Sequence, residues 1–182
     1  HSIDGPVYAL CVDYSDTSWP EPGLTLFIGG EFDYVDGELR HNAAAINVDI
    51  NAVTPFDPNT NGPVYTMLID SLTTYIYIGG DFTSVGNINP PYIAKVNRID
   101  GVAWSFNAVP WTATPNTDGP VHSIVNVPGG NVMIGGEFTT FASIQRKGLA
   151  ILDWYNGALQ PLSAGLNGSV YTINHIGDKY YF

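Results

Sequence analysis

Basic side chains, cysteine and long apolar stretches are all scarce in this sequence. Six Lys and Arg face 17 Asp and Glu across 182 residues, leaving a net charge of −11. Nucleic acids and anionic membranes require a basic footprint, so neither is expected as a partner. The single cysteine, Cys11, excludes an internal disulfide. It sits in the apolar run 7–12 and reads as a small core residue. No run approaches the roughly 18 apolar residues of a spanning helix, and no signal-peptide pattern occurs. Charged residues make up only 13%, about half the usual share. Little cysteine and lysine fit an exported, cell-surface or virion protein.

What is abundant points to β structure. The 20 Gly, 13 Pro and 11 Tyr suit short strands punctuated by turns rather than helices. Three landmarks repeat along the chain. Ile28-Gly29-Gly30-Glu31-Phe32 returns as Ile78-Gly79-Gly80-Asp81-Phe82 and as Ile134-Gly135-Gly136-Glu137-Phe138. Gly5-Pro6-Val7 precedes the first, Gly62-Pro63-Val64 the second and Gly119-Pro120-Val121 the third, with Gly168-Ser169-Val170 opening a fourth unit. Ala45-Ile46-Asn47, Ala94-Lys95-Val96 and Ala150-Ile151-Leu152 follow in the same order. The units run over approximately 5–61, 62–118 and 119–167, with a partial one over 168–182.

Each unit is expected to hold four antiparallel strands. Strand a spans 7–12, 64–69, 121–125 and 170–173; strand b, 24–28, 74–78 and 131–134. Strand c spans 44–48, 92–96 and 149–152; strand d, 53–56, 102–106 and 158–162. Asp100-Gly101 and Asn156-Gly157 mark c–d hairpin turns. Pro55 and Pro161 place strand d at a sheet edge, because proline cannot donate to a ladder. Four strands per unit at this period predict an all-β partial β-propeller, with about three four-stranded blades and the start of a fourth. A β-sandwich is the alternative, though it does not require a repeating sequence. The chain stops in mid-blade, so a fragment of a longer chain is expected.

The run Gly-Pro-Val-Tyr, then Tyr-Ile-Gly-Gly-Asp-Phe-Thr-Ser-Val-Gly, Ile-Ala-Lys-Val-Asn, Asp-Gly and Phe over 62–106 resembles the delta-60 repeat. Kelch blades share the double glycine and rank second, since their ordered Tyr and Trp are missing here. The resemblance implies a propeller-like scaffold in a large extracellular, cell-surface or virion protein. It carries no catalytic residues and implies no cofactor. A non-catalytic scaffold that binds protein or glycan is therefore expected. Its other neighbours would be the remaining blades of its parent chain or neighbouring subunits. A purely structural assembly role and a glycan-active enzyme are the alternatives.

Recurrence sorts the tempting residues. The double glycines read as backbone packing rather than a phosphate loop, as no Lys-Ser/Thr follows. Glu31, Asp81 and Glu137 share one slot and are read as acceptors for nearby turn amides, with a metal ring as the weaker alternative. Arg40 and Arg146 stand ten residues after their glycines and are expected to clasp a blade carboxylate, with ligand contact as the other reading. His122 replaces Tyr8, Tyr65 and Tyr171, so that slot reads as packing and His122 as a core or rim aromatic rather than a base. Phe32, Phe82 and Phe138 read as core, as do Val35, Val85 and Phe141. The breaks in the pattern hold the remaining ligand candidates: Trp19 in the long a–b link, Trp111 in the long d–a link, and Trp154 after strand c. Alternation of strands would place Trp19 and Trp154 at one end of the blades. Trp111, Arg40, His41 and Arg146 would lie at the other.

Overall fold

A computed structural model describes residues 1–14, 23–70, 73–103, 117–153, 157–162, 166–177 and 179–182. Trp19, Trp111 and Trp154 lie outside these residues. Among them every regular element is a strand, and no helix is long and apolar enough to cross a membrane.

The first sheet contains β1 (Val7–Asp13), β2 (Thr25–Gly30), β5 (Ala43–Asn47) and β6 (Ala52–Val53), in that spatial order. A small hairpin of β3 (Tyr34–Val35) and β4 (Glu38–Leu39) interrupts it, turning at Asp36-Gly37, both at positive φ. The second sheet is β7 (Val64–Ile69), β8 (Tyr75–Gly80) and β9 (Ile93–Asn97). The third is β10 (Val121–Val127), β11 (Asn131–Gly136) and β14 (Leu149–Asp153), with a hairpin of β12 (Thr140–Phe141) and β13 (Ile144–Gln145). Last comes the hairpin of β15 (Asn174–Ile176) and β16 (Lys179–Tyr181). All strand pairing is antiparallel.

Strands a, b and c form in all three sheets, but b runs two residues further and absorbs the glycine pair. Strand d is reduced. It is β6 in the first sheet and single bridges, Val96 to Ala103 and Leu152 to Leu159, in the others. Residues 104–106 of the second strand d lie outside the described residues. It does lie at the edge, where Pro55 and Pro161 remove ladder donors. The fourth strand a, expected over 170–173, is not a strand. Its ladder begins only at Asn174.

The glycine pairs explain how the sheets approach. None has positive φ; proximity is the reason. A Cβ on Gly29 would come 2.7 Å from Val64 Cγ1, one on Gly79 2.8 Å from Val121 Cγ1, and one on Gly135 2.6 Å from Val170 Cγ1. Thus the first glycine of each pair receives a valine from the next unit. On the second glycine a Cβ would overlap the carbonyl oxygen of Pro6, Pro63 or Pro120 in its own unit. Those carbonyls accept from the amides of Glu31, Asp81 and Glu137 at 2.9, 3.0 and 2.9 Å. Neighbouring units are also hydrogen bonded: Ile124 N donates to Thr66 Oγ1 at 3.1 Å, and Ile173 N to Ser123 Oγ at 3.0 Å.

The core lies between sheets. Phe27, Phe56, Val64, Met67, Ile78 and Phe82 belong to one cluster, and Tyr77, Val121, Ile124, Phe138 and Phe141 to the next. Phe32, Phe82, Phe138, Val35, Val85 and Phe141 are all buried, as their recurrence predicts. An ion pair joins distant segments: Arg98 Nη1, just after β9, lies 2.6 Å from Asp13 Oδ2 at the end of β1.

Turns are capped by a residue that sequence reasoning passed over, the Asx before each Gly-Pro. Asp4 Oδ1 accepts from the amides of Asp33 and Tyr34, Asn61 Oδ1 from Thr83 and Ser84, and Asp118 Oδ1 from Thr139 and Thr140. At Asp118 partial burial pulls the pKa upward. Bonds from the Thr139 hydroxyl and the two amides outweigh it and hold the pKa at about 2, below the ordinary 3.8. The ionised form is the one the fold favours. Its contribution is present above the ordinary value and is lost as pH falls from near 4 towards 2. Asn61 does the same work without titrating. Asp118→Asn is therefore expected to flatten the fall in melting temperature between pH 5 and pH 2.5, while changing stability at pH 7 by less than about 1 kcal/mol. Thermal melts followed by circular dichroism measure both.

Candidate functional site

At one end of the sheets the first strands bear an ordered row of aromatic rings. Their position follows from a repeated irregularity. In each β1–β2-type pairing the register shifts by one residue near the start: between Val7 and Ala9, Val64 and Thr66, and Val121 and Ser123. The residue passed over is Tyr8, Tyr65 or His122. A β-bulge leaves its extra residue outside the ladder and re-aims the side chain. The valine before the bulge faces the neighbouring unit, and the aromatic is left at the rim.

The rings then meet one another across units. Tyr8 and Tyr65 are 5.6 Å apart edge to face, Tyr65 and His122 stack at 5.0 Å, and His122 and Tyr171 lie 4.9 Å apart. Such pairs each contribute about 0.5–1.5 kcal/mol beyond area burial, enough to order the row. Tyr8 and Tyr171 at its ends are exposed, and Tyr65 and His122 are half-buried. The slot is thus a rim position at which the rings pack on one another, within the core-or-rim reading of His122.

A carboxylate from the end of each second strand accompanies the rings. Tyr8 Oη donates to Glu31 Oε2 at 3.1 Å. His122 Nε2 lies 2.9 Å from Glu137 Oε1; an ionised carboxylate only accepts, so Nε2 carries the proton. The bond to Glu31 is the main cause that raises the Tyr8 hydroxyl pKa, followed by desolvation and the Glu31 charge. Tyr65 is raised first by desolvation, then by Asp81, Tyr8, Glu31 and Glu137. All three acids therefore act on the middle of the row. Glu31 and Glu137 engage the aromatics rather than the turn amides expected for them, because the Asx residues already occupy those amides. Among the described residues, no three His, Cys, Asp or Glu side chains are grouped to hold a metal ion, so the ring of Glu31, Asp81 and Glu137 is not gathered around one.

Arg40 and Arg146 make their described contacts to other residues than those of the row. Arg40 donates to the carbonyls of Leu39 at 2.7 Å and Thr54 at 2.6 Å, while the exposed Glu38 carboxylate stands 4.0 Å off. Arg146 donates to the Gln145 carbonyl at 2.9 Å. Arg40 thus ties its link to the Thr54 carbonyl and also meets the carboxylate of Glu38, whereas the bond described for Arg146 is to its own neighbour. His41 pairs with Asp57 at 3.2 Å beside Arg40, consistent with the b–c and d–a links sharing an end. Cys11 borders the first core cluster, and burial pushes its thiol up to about 12, which suppresses its nucleophilic form.

Chemically, the row offers phenolic hydroxyls beside carboxylates, and the carboxylates suit cationic groups or hydroxyl donors. No nucleophile, base and orienting group come together in it. No protein-family model matches this chain, and no curated protein matches it significantly.

Proposed function

We propose that the chain is a non-catalytic β-propeller scaffold of a large extracellular, cell-surface or virion protein. Its sheets act as blades, and the aromatic–carboxylate row binds a basic segment of a protein partner. The observation that carries this reading is the row itself. The same bulge, ring and acid recur in successive units, so the site is extended and repeated, as a surface for an extended ligand would be. The blade assignment is supported by three successive antiparallel sheets whose first strands adjoin: β7 packs on β1 and β2, and β10 on β7 and β8. A basic ligand is favoured over a glycan by the acids and by the net charge of −11.

The test is titration calorimetry with an oligoarginine peptide and, separately, a neutral oligosaccharide. Tyr65→Ala and the pair Glu31→Gln/Glu137→Gln should each weaken peptide binding about tenfold, the scale of one hot-spot contact. Glu38→Gln, an exposed acid off the row, controls for diffuse attraction. Equal loss from Glu38→Gln would remove the row from the account. Binding of the sugar alone would move the reading to a glycan partner.

A further inference from the structure

The row holds tyrosine at positions 8, 65 and 171 and histidine only at 122. That one exchange puts a side chain whose ordinary charge change falls between about pH 5 and 8 into an otherwise steady surface. The Tyr8 and Tyr65 hydroxyls are both raised above the usual phenol, Tyr8 first by its bond to Glu31 and Tyr65 first by desolvation, so both stay neutral there. His122 is held by three described partners. Glu137, just past β11, accepts from Nε2 at 2.9 Å. The Tyr65 ring of β7 stacks on it at 5.0 Å and 20°, and the Tyr171 ring lies at 4.9 Å. Glu31, Asp81 and Glu137 all act on Tyr65, the ring against which His122 lies. Asp118 caps residues 139 and 140 just beyond Glu137, and its pKa of about 2 keeps it charged throughout this range. Among the described residues no Lys or Arg pairs with Glu31, Asp81 or Glu137. His122 is therefore the group of the row that can become positive.

We infer that His122 makes the row's hold on a basic ligand pH-dependent, firm in its neutral form and weakened when the imidazole takes a second proton. The inference rests on the reading of the row as a site for a basic segment. Neutral His122 keeps its one ring proton on Nε2, towards Glu137. A proton added at Nδ1 has two effects of the same sign. It places a positive charge against Tyr65 in the middle of the row, where it repels an arginine or lysine. It also turns the bond to Glu137 into one between opposite charges, which withdraws that carboxylate from the ligand. Coupling of this kind is reciprocal. A cation bound at the row disfavours the second proton on His122, so binding in mild acid releases protons.

Titration calorimetry with an oligoarginine peptide, on the whole chain at one ionic strength, tests this at pH 7.5 and pH 5.5. Affinity should fall about fivefold at the lower pH, the scale of one like-charge contact in water. His122→Tyr installs the residue of the equivalent positions and keeps every acid of the row. It should bind alike at both pH values, with circular dichroism unchanged. A second measurement needs no variant: at pH 6.5, binding heats in buffers of different ionisation enthalpy should show protons released by the unaltered chain. Equal affinity at the two pH values, a fall that persists in His122→Tyr, or proton uptake on binding would overturn the role of His122 and leave the row a site. No binding at either pH would end the reading of the row, and this inference with it.

Discussion

Replacing Arg98 with Met should cost about 4 kcal/mol, the scale for removing one partner of a buried ion pair. The Asp13 side chain is only 3% exposed, and Arg98 reaches it at 2.6 Å from 85 residues away. Methionine fills much of the same space, so the loss is chiefly electrostatic: a carboxylate buried near Thr25 and Leu26 loses its cation. The pair spans the first and second units, so Arg98→Met should also lower cooperativity between them. Adding Asp13→Asn should restore part of the loss, because the buried carboxylate charge that Arg98 faced is then gone. Urea unfolding of the single and double variants measures this. A single-variant loss under about 1 kcal/mol would mean that the pair is solvated in solution, where such pairs contribute little.

Phe56→Ala should be comparably damaging, at about 4 kcal/mol. Phe56 is fully buried and meets Phe27 edge to face at 5.1 Å and 88°. It follows Pro55, beyond the end of the short β6, where no ladder hydrogen bonds hold the chain. The ring anchors that segment in the core, and its cluster includes Val64, Met67 and Val96 of the second sheet. Phe56→Leu keeps most of the apolar contact and should cost less than half as much. Denaturant midpoints should fall with unchanged slope if only packing is lost. A steeper or shallower slope would show that the two sheets part company before the whole unfolds.

Much of this architecture is legible in the sequence, for reasons particular to certain residues. The glycine pairs are readable because only glycine tolerates a valine from the next unit on one side and a proline carbonyl on the other. Val64, Val121 and Val170 recur for the complementary reason. Strand d is readable as an edge through Pro55, but its shortness is not, since a proline says where pairing fails and not how far. The aromatic row is only half readable, as core or rim, because recurrence alone does not give the direction of a side chain. Alternation from Val7 predicts Tyr8 on one face, and a one-residue bulge changes that count. The Asx caps were visible as Asp4, Asn61 and Asp118 before each Gly-Pro, a signal overshadowed by the louder glycine pairs. The three tryptophans of the sequence reading lie outside the described residues.

The bulge has a consequence for how such a chain can change over generations. Tyr8, Tyr65 and His122 stand outside the ladder that their own strands form, so their identities are uncoupled from register. A substitution there alters what the surface presents without asking the sheet to be rebuilt, and equivalent bulges already carry both tyrosine and histidine. Each unit thus carries one rewritable letter on a fixed line, and duplication of a unit lengthens the word. What such a substitution does change is the contact of each ring with its neighbours in the row, worth about 0.5–1.5 kcal/mol a pair, while the register of the strands stays as it is.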